Sequence, residues 1–161
     1  MALLVRHAMT EAPATARPDL NAADAAGMMR NNDVGVIPIA ENDTLLGLVT
    51  DRDLVLRVLA ERKDPMNVTL RDVMTSSPVT VTPDMELTDA RDLMAEHRIR
   101  RLPVMKGDEL VGIISLGDIA VAMASKRAVG DALEDISQSP STEPTLDGPD
   151  PGTPERRRAA G

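Results

Sequence analysis

The sequence predicts a mixed α/β (α+β) fold built from two copies of one β-α-β-β-α unit. Three observations carry this: a gapless internal repeat, an alternation of helical and strand spacing within each copy, and prolines and glycines at the seams. Val5 to Leu54 matches Leu70 to Ile119 at a constant offset, with about 15 identities in roughly 50 aligned positions. Met9 pairs with Met74, Thr10 with Thr75, Pro13 with Pro78, Pro18 with Pro83, Asp24 with Asp89, Pro38 with Pro103 and Gly47 with Gly112.

Each copy opens on a short extended piece, Thr15 to Arg17 and Val79 to Val81, fenced by prolines that disfavour helix. An amphipathic helix follows, roughly Asn21 to Asn31 and Glu86 to His97. In the second copy Leu87, Ala90, Leu93 and Met94 share one face, while Thr88, Arg91, Asp92 and Glu96 lie elsewhere. Two β-branched runs come next, Val36 to Ile39 with Leu45 to Thr50, and Leu102 to Met105 with Leu110 to Ser115. The links ENDT and KGDE have hairpin-turn composition. A second helix closes each unit, Arg52 to Glu61 and Gly117 to Ser125. The single apolar faces of one unit need a partner, which the other copy supplies. The copies span 5–61 and 70–125, with 62–69 as connector. Residues 137–161, rich in proline and poor in apolar side chains, are expected to stay disordered. Within that tail, Glu155 to Arg158 reads as a solvated charge run.

Composition narrows the function. At 161 residues with 42% apolar content the chain has enough material for a core, yet it contains no Phe, Tyr, Trp or Cys. Leu, Val, Ile, Ala and 10 Met must fill the interior, so Met28, Met29, Met74 and Met94 read as core. Absent cysteine excludes disulfides, thiolate chemistry and sulfur-rich zinc sites. A net charge of -8 and no aromatic stacking platforms argue against nucleic acid. The apolar runs are strand-sized, and no basic and apolar leader opens the chain, so no membrane association and a cytoplasmic location are expected. His7 and His97 have no partner at ligand spacing, so no metal site is expected. No nucleophile and base, or paired carboxylates, point to catalysis. The expectation is not an enzyme.

Two stretches in register draw attention: GLVTDRD, Gly47 to Asp53, and GIISLGD, Gly112 to Asp118. A hydroxyl residue followed three places later by an acid is a capping box, closing the helix start. The same pair also suits a ribose: a carboxylate accepts from vicinal hydroxyls, while Thr50 or Ser115 faces the phosphate end. Glycine lets a ligand or a backbone come close. Cap and clamp are compatible.

These two motifs, in a tandem repeat over residues 5 to 125, resemble the cystathionine-β-synthase (CBS) domain family and its paired form, the Bateman module. NNDVGVIPI, LLGLVTDRD and IRRLPVM are similar to stand-alone bacterial CBS-pair proteins of the hypoxic-response type. The resemblance implies two clefts related by a pseudo-twofold axis, each holding an adenosine ligand between aliphatic groups. One would use Ser115 and Asp118 with Ala14, Val34 and Gly35; the other Thr50 and Asp53 with Val79 and Ile99. Arg100 and Arg101, shortly before Pro103, would contact phosphate, or form a solvated basic patch. Because adjacent extended residues point to opposite sides, they would serve different clefts. Thr50 and Asp53 lie in the copy without these arginines, so theirs is expected to be the weaker or emptier cleft. Arg52 would help or simply be exposed.

The function implied is an adenine-nucleotide sensor for AMP, ADP, ATP or a related adenosyl ligand, with no resident cofactor. The sequence does not specify whether magnesium accompanies the phosphates. A homodimer packed as a flat disc and an unidentified protein target are further implications. The alternative is a non-binding CBS-pair dimer that keeps the motifs as helix caps and acts as a protein-interaction scaffold in stress response.

Overall fold

A computed structural model describes residues 1–138 of the chain. Its elements are β1 (Thr10–Glu11), α1 (Ala22–Asn32), β2 (Val36–Glu41), β3 (Thr44–Thr50), α2 (Asp51–Leu54), α3 (Leu70–Val73), β4 (Thr75–Ser76), α4 (Leu87–His97), β5 (Arg101–Lys106), β6 (Glu109–Ser115) and α5 (Leu116–Gln138). A 3-10 turn at Val5–His7 precedes β1, and α2 runs on into a wider π turn over Val55–Leu59. From residue 139 onward the expected disordered tail lies outside the described residues. Its first two residues, Ser137 and Gln138, instead end α5, which runs well past the expected stop at Ser125.

Local chemistry sets most boundaries. Asn21 caps α1 by accepting from the Asp24 amide at 2.8 Å. Both long repeat helices end in a left-handed residue, Asp33 (φ 52) and Arg98 (φ 54), where glycine or asparagine is more usual. The apolar faces settle as the spacing predicts, with Leu87, Ala90 and Met94 buried and Leu93 half-buried.

The sheets depart from the sequence expectation. Their strand orders are β2-β3-β4 and β1-β6-β5. Each sheet therefore takes its third strand from the opposite copy. Thr75 and Ser76 pair with Leu48 and Gly47, while Thr10 and Glu11 pair with Ile113 and Gly112. The expected opening strands contribute only single parallel bridges, at Ala16 to Ile39 and Val81 to Val104. There Ala16 donates to the carbonyl of Pro38 and accepts from the amide of Ala40, both at 3.0 Å. Proline has no N–H to give, so Pro38 and Pro103 sit on β2 and β5 at the sheet margins.

The exchange extends into the interior. One core gathers Ala22, Ala25, Met29, Ile37, Ile39 and Val49 around Leu70 and Val73 of the second copy. The other gathers Leu87, Ala90, Met94, Leu102, Val104 and Ile114 around Val5 of the first copy. Backbone bonds repeat the symmetry. Leu70 and Arg71 donate to Leu20 and Pro18, just as Val5 and Arg6 donate to Met85 and Pro83. An Arg6–Asp84 ion pair adds to the second crossing. The segment expected to be a plain connector also closes α1, because Val68 and Pro65 carbonyls accept from Ala22 and Ala23.

One crossing carries an unrepeated fastening. Arg57 Nη1 donates to the carbonyls of Val73 (2.8 Å) and Met74 (3.2 Å), satisfying the end of α3. The matching position in the second copy is Ala122. Arg57→Ala removes a charge-assisted donor from two carbonyls and is expected to cost about 1–2 kcal/mol in a urea melt, given that half the side chain faces solvent. An unchanged midpoint would show that water replaces the guanidinium without loss.

Candidate functional site

At the ends of β3 and β6 the chain turns directly into a helix, and both turns are closed by the expected box. Thr50 N donates to Asp53 Oδ2 at 2.9 Å, and Asp53 N donates to Thr50 Oγ1 at 3.2 Å. In the second copy Ser115 N and Ser115 Oγ both donate to Asp118 Oδ2, at 2.8 and 2.7 Å, while Asp118 N donates back to Ser115 Oγ at 3.1 Å. The capping function is therefore realised. In each box Oδ2 makes the cap bonds. Asp53 Oδ1 has only Arg57 Nη2 nearby, at 3.9 Å, so it remains available as an acceptor.

The motif glycines face away from any ligand role. A Cβ on Gly47 would stand 2.5 Å from the Thr75 carbonyl oxygen and 2.9 Å from Met74 Sδ. On Gly112 it would stand 2.9 Å from the Thr10 carbonyl oxygen and 2.8 Å from Met9 Sδ. Of the two approaches open to the glycine, the structure uses the backbone's: the exchanged strand.

A cavity of about 860 Å³ opens beside the first box. Thr50, Asp51, Arg52 and Asp53 form one side, with Leu48 beneath them. Pro78, Val79 and Ile99 supply an aliphatic side, and Arg98, Arg100 and Arg101 a basic one. The structure thus brings together six sequence-predicted residues: Thr50, Asp53, Val79, Ile99, Arg100 and Arg101. Both arginines border the same cleft as Thr50. The Thr50 cleft, expected to be the one without these arginines, therefore has both on its lining. They also stand beside the helix mouth of their own copy, where Arg101 pairs with Ser115 and the Arg100 carbonyl accepts from Leu116 N at 2.8 Å.

Ser115 and Asp118 are half-buried at the mouth of α5, and Ala14 and Val34 are exposed. Gly35 lies against the Thr50 cleft, where a Cβ would come within 2.7 Å of Arg101 Nη2 and 2.9 Å of Asp51 Oδ2. Asp51, Thr75, Ser77, His97 and Arg98 line the cavity without having been singled out for it. Arg98 had a signal in its spacing, two residues from Arg100 in a run leading to a strand. His97 had none, being an exposed residue at a helix end.

Residues 5–60 and 70–125 each match the family model described as CBS domain. The chain belongs to the CBS domain family. A CBS domain-containing protein of Bacillus subtilis, YhcV, is 42% identical over 133 residues, covering 83% of this chain and 94% of the relative. Hypoxic response protein 1 of Mycobacterium tuberculosis is 38% identical over 97 residues, covering 60% of this chain and 68% of that one. Among solved structures, CBSX2 in complex with AMP superposes with a TM-score of 0.67 at 28% identity, covering 78% of this chain and 98% of that one. The fold is that of a CBS pair. No helix among the described residues is long and apolar enough to cross a membrane.

Proposed function

We propose that this CBS pair is a regulatory module that binds an adenine nucleotide in the Thr50 cleft. The observation that carries the reading is the composition of that cavity: an aliphatic wall, an aspartate with an oxygen to spare, and arginines opposite. Adenine lies between Val79, Ile99 and Leu48, ribose hydroxyls donate to Asp53 Oδ1, and phosphates meet Arg100 and Arg101. The AMP complex of the similar CBSX2 supports the ligand class. Binding regulates by favouring one arrangement of the repeats, or of a dimer, over another.

The test is calorimetry with AMP, ADP, ATP and S-adenosylmethionine. Asp53→Asn keeps an oxygen for the cap and removes the charge, so it is expected to weaken binding by about tenfold or more. Asp118→Asn, which lies outside the lining of this cavity, is expected to cost less. Because the chain has no aromatic residue, nucleotide retained through purification also shows directly as ultraviolet absorbance. If no ligand releases heat and Asp53→Asn changes only the melting temperature, the motifs are caps. That outcome favours the second reading, an interaction scaffold, which draws support from boxes that are complete within the chain.

The homodimer also belongs to this proposal. Val55, Leu56, Leu59 and Val121, on the helices that follow β3 and β6, are exposed large apolar side chains, with Leu59 at 72% and Val121 at 68%. Such residues favour a covering partner. Leu56→Glu with Val121→Glu is expected to yield monomers in light scattering, and an unchanged mass would place the dimer contact elsewhere.

A further inference from the structure

We propose that Met9 and Met74 are paired oxidation sites, at which a peroxide converts the thioether to the sulfoxide and so loosens the strand exchange that joins the two repeats. The proposal is independent of the nucleotide reading.

The chain has no Cys, Trp or Tyr, so its 10 Met are the side chains that a mild two-electron oxidant meets first. They are not equally placed. Met1 and Met66 are exposed, the latter at 59%, and lie outside both cores. Met29 and Met94 are enclosed, at 7% and 2% exposure. Met9 and Met74 are half-buried and hold matching places in the repeat. Each immediately precedes a two-residue exchanged strand, β1 or β4. Each sulfur also covers the motif glycine with which that strand pairs. The place of a Cβ on Gly47 is 2.9 Å from Met74 Sδ, and that of a Cβ on Gly112 is 2.8 Å from Met9 Sδ. Met74 packs on the first core and Met9 on the second.

Access and consequence both follow from this position. A strand held by two residue pairs opens locally at small cost, which presents the sulfur to a small oxidant while the long helices stay folded. A sulfur lone pair then attacks one oxygen of hydrogen peroxide, the O–O bond breaks as the S–O bond forms, and sulfur gives up two electrons. The departing hydroxide takes the proton of the transferred oxygen and leaves as water. The sulfoxide is larger and strongly polar. Closing the strand over it would bury an oxygen against aliphatic side chains and beside a glycine whose open face the thioether already fills.

The experiment treats the full chain with hydrogen peroxide at neutral pH, follows each methionine by peptide mass spectrometry and takes a thermal melt at each time point. Met66 is expected to oxidise fastest and Met9 and Met74 next, with Met29 and Met94 slower than that pair by about tenfold or more. The melting temperature should fall by about 5 °C or more as Met9 and Met74 convert, and not as Met66 does. Met66→Leu should therefore lose as much on treatment as the wild type. Met9→Leu with Met74→Leu, a swap of similar volume, should keep its own untreated melting temperature to within about 2 °C. In the wild type, Met9 and Met74 oxidising no faster than Met29 and Met94 overturns the proposal, as does conversion of both with no change in melting. A double variant that loses as much on treatment as the wild type overturns it too.

Discussion

Gly47→Ala is expected to destabilise the protein by about 3 kcal/mol or more, the upper part of the range for forced overpacking. For a chain of this size that lowers the melting temperature by roughly 10 °C. The added Cβ would stand 2.5 Å from the Thr75 carbonyl oxygen, a backbone atom of β4 that cannot rotate away. Relief requires β4 to move off β3, and β4 carries the Met74 and Leu70 side of the crossing with it. Gly112→Ala meets the Thr10 oxygen at 2.9 Å, so it should cost less than Gly47→Ala, with flexible Met9 giving way more easily. Gly130→Ala is the control, because nothing lies within 4 Å of its Cβ and it sits in α5. That change should be neutral or stabilising by up to about 1 kcal/mol. Thermal melts followed by far-ultraviolet circular dichroism rank the three. If Gly47→Ala melts with the wild type, the motif glycine is not there to admit the exchanged strand.

The same glycines show how much of the molecule was legible in the sequence. A constant long-range offset identified the repeat, while local spacing identified the buried face of α4, the hairpins and both capping boxes, since these are fixed by residues close together in the chain. Periodicity reports which face is buried but not against which copy. Pairing of β4 with β3 and of β1 with β6 was therefore hidden, and strands of two residues carry no alternation to detect. The run from Lys126 into α5 looked like a boundary because the repeat offers no counterpart beyond Ser125, although Ala128, Val129 and Ala132 are compatible with helix. For the site, residue types were read more accurately than grouping. Arg100 and Arg101 were singled out as a basic pair and assigned to two clefts from the alternation of adjacent extended residues. Across the crossover they converge on Thr50 and Asp53. Gly35, expected beside an adenine near Ser115, instead makes space for Arg101.

Leu70→Ala is expected to cost about 2–5 kcal/mol, as for a fully enclosed leucine, although by position it merely follows a connector. Leu70 is 0% exposed and packs in the first core, among side chains of the other copy. Its repeat partner Val5, also 0% exposed, does the same in the second core. Each core is thus incomplete without residues that open the opposite copy, so neither repeat can lose its packing independently. The unfolding transition should stay single and shift as a whole in Leu70→Ala, with coincident midpoints from methyl resonances of Ile37 in the first core and Ile114 in the second. Val5→Ala should lower both midpoints as well, by less, because valine leaves a smaller cavity. A transition that splits, with the Ile37 signal lost early and the Ile114 signal unmoved, would mean that the exchanged segments join two independently stable units. On the proposed nucleotide reading, a single shift would make the crossing the link through which a ligand at Thr50 stabilises the repeat that supplies Arg100.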